Sequence, residues 1–486
     1  MTRTCVAISE ADAASALAVA QDALARGAEC LEFRFDAMQT LPDDLSAFAS
    51  LDVRRIATLR EKDQGGAWDG PMEKKWEFLW RAAEAGFDID LELGHPLISR
   101  THLLKPSKII VSYHDTKKTP VTARIIESLV ECSARSDMAK VAYNVRTMHD
   151  LAQLVEATMY FSLTRERYTV IGMGELGAVT RVMAHRLGSY LAYAAPAAGR
   201  ETAPGQLDME TMKWLGKEPV VTGIVGYPLE HSVSPQMHNA AFKASAVRGT
   251  YLKWVTMKDE LEDLLDMVDA LGVRGFNVTI PHKEDIVPLL DRIDPAAERI
   301  GAINTVVNEG GTLIGRNTDM VGVERTFERN GVDPKDKKAL VLGAGGASRS
   351  VLSYLSSKGA EIDITNRTMG KAESLAKSFD GVSAVGKRVV EEKQYDIVVN
   401  CTPLGMKGFP QESPVAPHVL REGQFVMDTV YNPTVTPILA EASRKGAKAV
   451  NGKDMLIYQA LASFELWTGK AADYDVMDRA FREALP

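Results

Sequence analysis

The apolar and polar positions of the chain fall into two rhythms. As far as Ala194, short apolar or mixed runs (TCVAI, CLEFRF, RRIATLR, FDIDLEL, KIIVSYH, MAKVAY, YTVIGMG and SYLAYA) alternate with stretches of helical spacing such as ADAASALAVAQDALARG and TARIIESLVECSA. Runs of that length bounded by polar turns read as strands, and strands that alternate with helices build a parallel sheet. Eight such units predict a closed (β/α)8 barrel, because closure leaves no edge strand. The segment GRETAPGQLDMETMKWLGKEP interrupts the rhythm with Gly, Pro and charge, so a domain boundary is expected near residue 215.

A second organisation begins at VVTGIVGYPLEHSVSP. Strands VTGIVG, TYLKWV and GFNVTI are separated by helical spacing, and TVVNEGGTLIG places two apolar runs around a glycine turn, a hairpin signature. A third unit starts at KKALVLGAGGASRSVLSYLSSKG and continues through AEIDITN, YDIVVNCT and QFVMDTVY, the outline of an open nucleotide-binding sheet. DMLIYQALASFELWTG has helical periodicity. The expected fold class is α/β, a (β/α)8 barrel over 1–215 followed by a middle domain over 219–318, a Rossmann-like domain over 319–450 and a helical region over 451–486 that packs on the middle domain.

Composition narrows the functions. The chain has 486 residues, 45% of them apolar, which is enough for about three cores. A net charge of -8 and a pI near 5.7 argue against nucleic acid or anionic membranes as partners, while local Lys and Arg can still hold a small anion. Cys5, Cys30, Cys132 and Cys401 are far apart and form no CxxC pair, so neither a disulfide framework nor a metal site is expected. MTRTCVAISE lacks a long apolar core and no stretch has bilayer length; a cytoplasmic protein is expected, or a plastid one if a targeting segment has been removed.

Polar residues sit at the ends of the predicted barrel strands, where such barrels gather their chemistry: Glu32 and Arg34 in strand two, Arg60 ending strand three, His114 ending strand five, Lys140 in strand six. Lys140 lies in the apolar stretch SDMAKVAYNV, and a desolvated amine is a nucleophile toward carbonyls; alone, it also reads as a lysine snorkelling from a strand end. His114 alone also reads as an ordinary core histidine. On adjacent strands the two could serve one carbonyl compound, the amine forming an imine and the imidazole removing the acidified neighbouring proton. Arg34, Arg60 and Arg181 suit an anionic substrate.

In the second half, LGAGGAS follows a strand and opens a helix, which leaves room for a diphosphate and presents backbone amides to it; a plain tight turn is the alternative. The next strand ends in Asn366, Arg367 and Thr368 where an NAD site commonly has an acid, so NADP is favoured, with a solvated turn as the alternative for Arg367. NVTIPHKED carries Lys283, and GRNTD carries Asp319. A lysine and a carboxylate can orient proton transfer to the alkoxide left by hydride reduction of a ketone. A solvated strand cap for Lys283, a helix N-cap for Asp319 and turn caps for Ser232 and Ser234 are the alternatives.

Two resemblances draw these residues together. LEFRFD, TLREKDQGG, IVSYHDTKKTP, DMAKVAY, MGELGAVTR and TAPGQL, in order across 1 to 210, resemble the type I 3-dehydroquinate dehydratase family. That resemblance implies dehydration of 3-dehydroquinate to 3-dehydroshikimate through a Schiff base, with Lys140 as the imine-forming residue, His114 as general acid and base, and Glu32, Arg34, Arg60, Arg181, Thr202 and Gln206 contacting substrate. GYPLEHSVSPQMHNAAF, NVTIPHKED, GAINTVV, GRNTDMVG, VLGAGGAS, NCTPLGM, DTVYNP and NGKDMLIYQALASFELWTG resemble shikimate dehydrogenase across roughly 220 to 486. This second resemblance implies NADPH-dependent reduction of 3-dehydroshikimate to shikimate, with Lys283 and Asp319 as the catalytic pair and Ser232, Ser234, Thr279, Asn304, Tyr431 and Gln459 holding substrate. It also implies Gly343, Gly345, Gly346 and Ala347 at the diphosphate, Asn366, Arg367 and Thr368 at the adenosine phosphate, and Thr402, Gly452 and Met455 near the nicotinamide.

The product of the first implied reaction is the substrate of the second, which fits one bifunctional enzyme without a sealed channel and without a metal. Three positions depart from the family patterns. Gln64 stands where the dehydratases usually have an acid, with Asp63 and Glu61 as substitutes if the loop shifts register; Thr202 replaces a serine; Ser348 replaces a small apolar residue. A broad quinate/shikimate dehydrogenase, or a metabolite sensor with impaired catalysis, are the competing readings.

Overall fold

Residues whose side chains alternate between a packed interior and a helical shell form the first sheet. Its strands are β1 (Arg3–Ile8), β2 (Cys30–Arg34), β3 (Arg54–Thr58), β4 (Asp88–Glu92), β5 (Ile109–Asp115), β6 (Met138–Asn144), β7 (Tyr168–Met173) and β8 (Leu191–Ala194). All the ladders are parallel and run β7-β6-β5-β4-β3-β2-β1-β8. The seam between β7 and β8 is stitched by Tyr190 N–H donating to the Tyr168 carbonyl at 2.7 Å, and by two hydroxyls: Ser189 Oγ receives Val170 N–H at 3.2 Å and Thr169 Oγ1 receives Leu191 N–H at 3.0 Å. The result is a near-closed (β/α)8 barrel. Cys5, Cys30, Ile56, Ile110, Met138, Ala142, Ile171, Leu191 and Tyr193 fill its interior.

The computed structural model describes residues 2–164 and 166–485. Two compact units emerge, one of Met1–Val220 with Arg248–Val273 and one of Val221–Val247 with Arg274–Pro486. The strand β10 (Gly249–Val255) counts with the first. Among the described residues no helix is long and apolar enough to cross a membrane.

In the second unit β9 (Val220–Gly226), β11 (Gly275–Val278), β12 (Arg292–Ile293), β13 (Thr305–Glu309) and β14 (Thr312–Arg316) lie in the order β9-β11-β13-β14-β12. The β13–β14 pair is the antiparallel hairpin expected from TVVNEGGTLIG; Gly310 and Gly311 have φ of +65° and +95°, the left-handed backbone that a tight two-residue turn requires. Helix Lys453–Thr468 is tied to this sheet: Trp467 Nε1 donates to the Val306 carbonyl at 3.0 Å, and Ser463 Oγ lies 2.9 Å from Thr305 Oγ1.

The remaining sheet comprises β15 (Lys338–Leu342), β16 (Glu361–Thr365), β17 (Val382–Ala384), β18 (Ile397–Asn400), β19 (Phe425–Asp428) and β20 (Lys448–Val450). It is wholly parallel in the order β17-β16-β15-β18-β19-β20, the doubly wound 3-2-1-4-5-6 arrangement, with the order reversing beside β15. Ligands of such sheets bind outside the strand ends at that reversal, here the loop Gly343–Gly345.

Candidate functional sites

In β6, Met138 and Ala142 face the barrel interior, so the two-residue period turns Lys140 inward between them. Its amine is 2.9 Å from Glu32 Oε1, 3.1 Å from Asp90 Oδ2 and 4.3 Å from the centre of the Tyr193 ring. These partners come from β2, β4 and β8, so Lys140 completes one layer of side chains from the even strands, as barrel interiors are built. The apolar setting inferred from SDMAKVAYNV is therefore corrected: strand neighbours point alternately away, and the amine meets two buried carboxylates.

Ser112 stands opposite Lys140 in the β5–β6 register and His114 opposite Ala142, so His114 lies one inward step nearer the barrel mouth. Its Nδ1 is buried without a hydrogen-bond partner among the described residues. Desolvation, then the Arg60 and Lys140 cations, push the imidazole well below the usual histidine range, with Asp90 opposing and Arg34 adding to the fall. Asp115 instead accepts from the Lys117 and Lys118 amides at 2.9 and 3.1 Å. Gln64 is the residue of that loop that reaches His114, its Oε1 receiving the His114 backbone N–H at 3.0 Å. Glu61 turns to Lys75, and Asp63 is exposed, so neither substitutes for the missing acid.

Strand β3 ends at Thr58, and Arg60 stands two residues beyond it, almost wholly buried. It donates to Ser112 Oγ and to Asp90 Oδ1, both at 2.7 Å, and lies 3.2 Å from Glu92. Arg34 is held by Asp36 at 2.9 and 2.7 Å. Arg181 donates to the carbonyls of Gly172 and Gly205 at 2.5 and 3.3 Å, its Nε is buried without a partner among the described residues, and burial lowers its pKa to about 10. Gln206 Oε1 receives the Thr202 amide at 2.7 Å and the Thr202 hydroxyl at 3.1 Å. The sequence reading missed Asp90, Glu92, Thr58, Ser112 and Tyr193. The acids had a signal, since Asp88, Asp90 and Glu92 recur every second residue in a strand and so share one face.

The second unit joins Lys283 and Asp319 in an ion pair, with Lys283 Nζ donating to Asp319 Oδ2. The other Asp319 oxygen accepts from Asn304 Nδ2 at 2.8 Å, which also lies 3.3 Å from Gln459 Oε1. Asn304 Oδ1 receives the Thr318 amide at 2.7 Å, fixing the start of helix Asp319–Arg329. Asn277, in the same NVTIPHKED stretch, donates to Thr305 and Ser463 at 3.0 Å each. Ser232 and Ser234 lie at the start of helix Ser234–Ala244, where the Ser232 hydroxyl receives the Ser234 amide at 3.4 Å. Thr279 packs beside Gly226, and the Tyr431 ring lies 5.8 Å from that of Phe481.

Gly343 has φ of +105° and turns the chain from β15 into helix Gly346–Ser357. A Cβ on Gly345 would meet nothing within 4 Å, whereas one on Gly346 would lie 2.9 Å from Lys283 Cδ. Ala347 follows within the first helical turn. Ser348 donates to the Gly343 carbonyl at 2.8 Å and so braces the loop. Asn366 is half-exposed and Arg367 and Thr368 are exposed at the end of β16; among the described residues Arg367 has no ion pair. Thr402 gives its amide and hydroxyl to Asn400 at 2.9 and 2.7 Å. Gly452 passes so close to Thr429 that a Cβ would lie 2.1 Å from its carbonyl oxygen, and Met455 is buried in the core of this unit. Among the described residues no group of three or more His, Cys, Asp or Glu is placed to hold a metal ion.

Comparison with known proteins matches both halves of the chain. Residues 4–215 match the family described as type I 3-dehydroquinase, 224–306 the shikimate dehydrogenase substrate binding domain, 324–406 shikimate/quinate 5-dehydrogenase and 452–480 the shikimate 5'-dehydrogenase C-terminal domain. The chain is 31% identical over 484 residues to the bifunctional 3-dehydroquinate dehydratase/shikimate dehydrogenase, chloroplastic, of Arabidopsis thaliana, covering 92% of this chain and 78% of that one. Its second half is 44% identical to the shikimate dehydrogenase (NADP(+)) of Moorella thermoacetica, covering 54% of this chain and 93% of the relative. The crystal structure of shikimate 5-dehydrogenase from Thermus thermophilus in complex with NADP(H) and shikimate matches with a TM-score of 0.52 and 38% identity, over 55% of this chain and all of that one. With both halves matched in order and a full-length relative carrying the same pair, the chain belongs to the bifunctional 3-dehydroquinate dehydratase/shikimate dehydrogenase family.

Proposed function

We propose that the two reactions run at two separate lysines, one in the barrel and one in the second unit. In the barrel, Lys140 attacks the ketone of 3-dehydroquinate and water leaves as the imine forms. Glu32 and Asp90 are within reach to take up the proton that the amine must shed first. The imine acidifies the neighbouring carbon, and His114 removes its proton. The loss of solvent and the facing cations that hold the imidazole neutral suit it to act as that base. The β-hydroxyl then departs as water with the proton that His114 took up, which returns the imidazole to its neutral form, and hydrolysis of the imine returns Lys140 and releases 3-dehydroshikimate. Arg34, Arg60 and Arg181, with Thr202 and Gln206, receive the substrate carboxylate and hydroxyls; the unpartnered Arg181 Nε is a donor available for this role.

The second unit reduces 3-dehydroshikimate to shikimate, and NADPH supplies the hydride when bound. Lys283 delivers the proton to the oxygen of the reduced ketone, and Asp319 orients its ammonium and balances its charge. Asn304 and Gln459 set the Asp319 carboxylate, while Ser232, Ser234, Thr279 and Tyr431 receive the substrate. The residues fit an NADP site: the open space over Gly345 and the start of helix Gly346–Ser357 suit a diphosphate, with Ala347 in the same turn. Asn366, Arg367 and Thr368 suit a 2'-phosphate. Thr402, Gly452 and Met455 form the nicotinamide side. The division of labour follows 1–215 for the dehydratase, 219–318 for reductase substrate, 319–450 for NADP and 451–486 for the helical cover.

The observation that carries this reading is the pairing of two lysines with different companions, the buried Lys140 with two carboxylates and a neighbouring imidazole, the half-buried Lys283 with one carboxylate beside a nucleotide loop. Incubation with 3-dehydroquinate and borohydride tests the first half. A mass increase on the peptide containing Lys140 is expected, and an unlabelled Lys140 in an active enzyme rejects the mechanism. Reduction of supplied 3-dehydroshikimate with NADPH tests the second, and activity that persists in Lys283→Met rejects it.

A further inference from the structure

Lys75 has no part in the chemistry above, yet it is fully buried. On helix Met72–Glu84 it lies in the packed stripe with Phe78, Leu79, Ala82 and Ala83, a position the helical period reserves for apolar side chains. Its ammonium meets Glu61 Oε1 and Glu92 Oε2, each at 2.8 Å. Removing ions from water is costly, and a buried lysine held this way calls for a reason beyond packing.

Its two partners belong to the mouth of the barrel. Glu92, at the end of β4, uses Oε1 to accept the Glu61 amide at 3.0 Å and lies 3.2 Å from Arg60. Arg60 holds Ser112 and Asp90, and Asp90 reaches Lys140. Glu61 begins the loop that carries Gln64 to the His114 backbone. Farther along that loop, Gly66 lies against Arg60 so closely that a Cβ would fall 2.0 Å from the Arg60 carbonyl oxygen. Without Lys75, the Glu61 and Glu92 carboxylates face each other, with Arg60 still against Glu92 and His95 Nε2 3.4 Å from Glu61 Oε1. Their repulsion loosens the loop and draws Arg60 away from Ser112 and Asp90.

We propose that Lys75 is a positioning residue for the dehydratase, a clamp behind the active site that keeps Arg60 and the Gln64 loop in register with Lys140 and His114. The inference rests on the reading of the barrel as an imine-forming dehydratase. Lys75 touches no reacting atom; it acts through Glu61 and Glu92.

The experiment uses the full chain with Lys75→Met, whose reductase activity serves as an internal control. Dehydratase kcat is expected to fall about 10- to 100-fold, the usual cost of losing a residue that orients active groups, while reduction of 3-dehydroshikimate is unchanged. The acid limb of the dehydratase pH profile is expected to move upward. The charges facing His114 are Arg34, Arg60, Asp90 and Lys140, from β2, the loop after β3, β4 and β6; freed Glu61 and Glu92 add negative charge to that balance and favour the imidazolium. A folded Lys75→Met with wild-type kcat and an unmoved pH profile overturns the proposal, even if its Tm falls, because that pattern belongs to a purely structural lysine. If Lys75→Met does not fold, Glu61→Gln decides: it releases the loop side of the clamp and keeps the Lys75–Glu92 pair. Lowered kcat in folded Glu61→Gln supports the clamp, and wild-type kcat overturns it. Failure of the wild-type chain to dehydrate 3-dehydroquinate rejects the underlying reading instead.

Discussion

Replacing Gly346 by alanine separates two roles that a glycine-rich loop can play. The usual role is to clear space for the cofactor diphosphate, but at Gly346 the added Cβ would stand 2.9 Å from Lys283 Cδ, 3.5 Å from its Cβ and 3.7 Å from its Cγ. Carbon atoms pack at about 3.5–4.0 Å, so the lysine stem has to retreat by roughly 0.6–1 Å. Its ammonium is tied to Asp319, whose other oxygen is tied to Asn304, and the retreat pulls the proton donor off its carboxylate. A misplacement of about 1 Å can cost roughly a hundredfold in rate, so reductase kcat is expected to fall about 10- to 100-fold. Fold stability is not expected to suffer, since Gly to Ala in a helix gains up to about 1 kcal/mol. The companion variant is Gly345→Ala, whose Cβ meets no protein atom within 4 Å; its effect is expected on the KM for NADPH, with kcat largely retained. Steady-state NADPH oxidation with 3-dehydroshikimate, varying each substrate in turn, reads both parameters. A Gly346→Ala enzyme with kcat within about twofold of wild type, or one whose loss lies entirely in the KM for NADPH, refutes the reasoning.

Three further outcomes follow from the same geometry. Gln64→Glu brings a carboxylate toward His114; at about 4 Å and an effective dielectric near 20 the attraction for imidazolium is up to about 4 kcal/mol, which exposure at position 64 reduces to a shift of roughly one to two pH units. The sign is upward: the acid limb of dehydratase kcat/KM moves to higher pH, and superimposable profiles contradict it. The lowered imidazole also means that His114 contributes stability above its unfolded value of about 6.5 and loses it as pH falls toward the folded value, so Gln64→Glu is expected to soften acid unfolding followed by circular dichroism. Lys140→Met leaves Glu32 and Asp90 buried without the amine and is expected to cost about 3–5 kcal/mol of barrel stability in denaturant titration while abolishing dehydration and sparing reduction. Asp319→Asn removes the charge that orients Lys283 and is expected to lower reductase kcat about 10²–10⁴-fold with dehydration intact, measured on the two reactions separately.

The strands of the barrel were legible because most of their residues are buried and each keeps a short apolar or mixed run, while the helices between them announce a parallel sheet. TVVNEGGTLIG was legible for a different reason: its paired glycines adopt a backbone that other residues avoid. The short edge strands Arg292–Ile293, Val382–Ala384 and Lys448–Val450 went unread, since two or three partly exposed residues become strands through their neighbours' ladders rather than through their own pattern. Lys140 and His114 could be named from motif order, but the carboxylates around Lys140 come from strands far apart in the chain, and barrel closure brings them together. Lys75 sits in EKKWEFLW and looks like a solvated helix lysine until Glu61 and Glu92 arrive from two other elements. Gly346 looked like a phosphate-loop glycine because nothing local reveals that Lys283, many residues earlier, rests against it.

The most direct test of two independent lysine sites on one chain is complementation in a single tube. Lys140→Met and Lys283→Met are each supplied with 3-dehydroquinate and NADPH, alone and mixed, and shikimate is quantified. Each variant alone is expected to form none, Lys283→Met stopping at 3-dehydroshikimate and Lys140→Met leaving 3-dehydroquinate unchanged, while the mixture forms shikimate by passing the intermediate through solution. A mixture that yields no shikimate from two folded variants, or a single substitution that silences both reactions, contradicts the account.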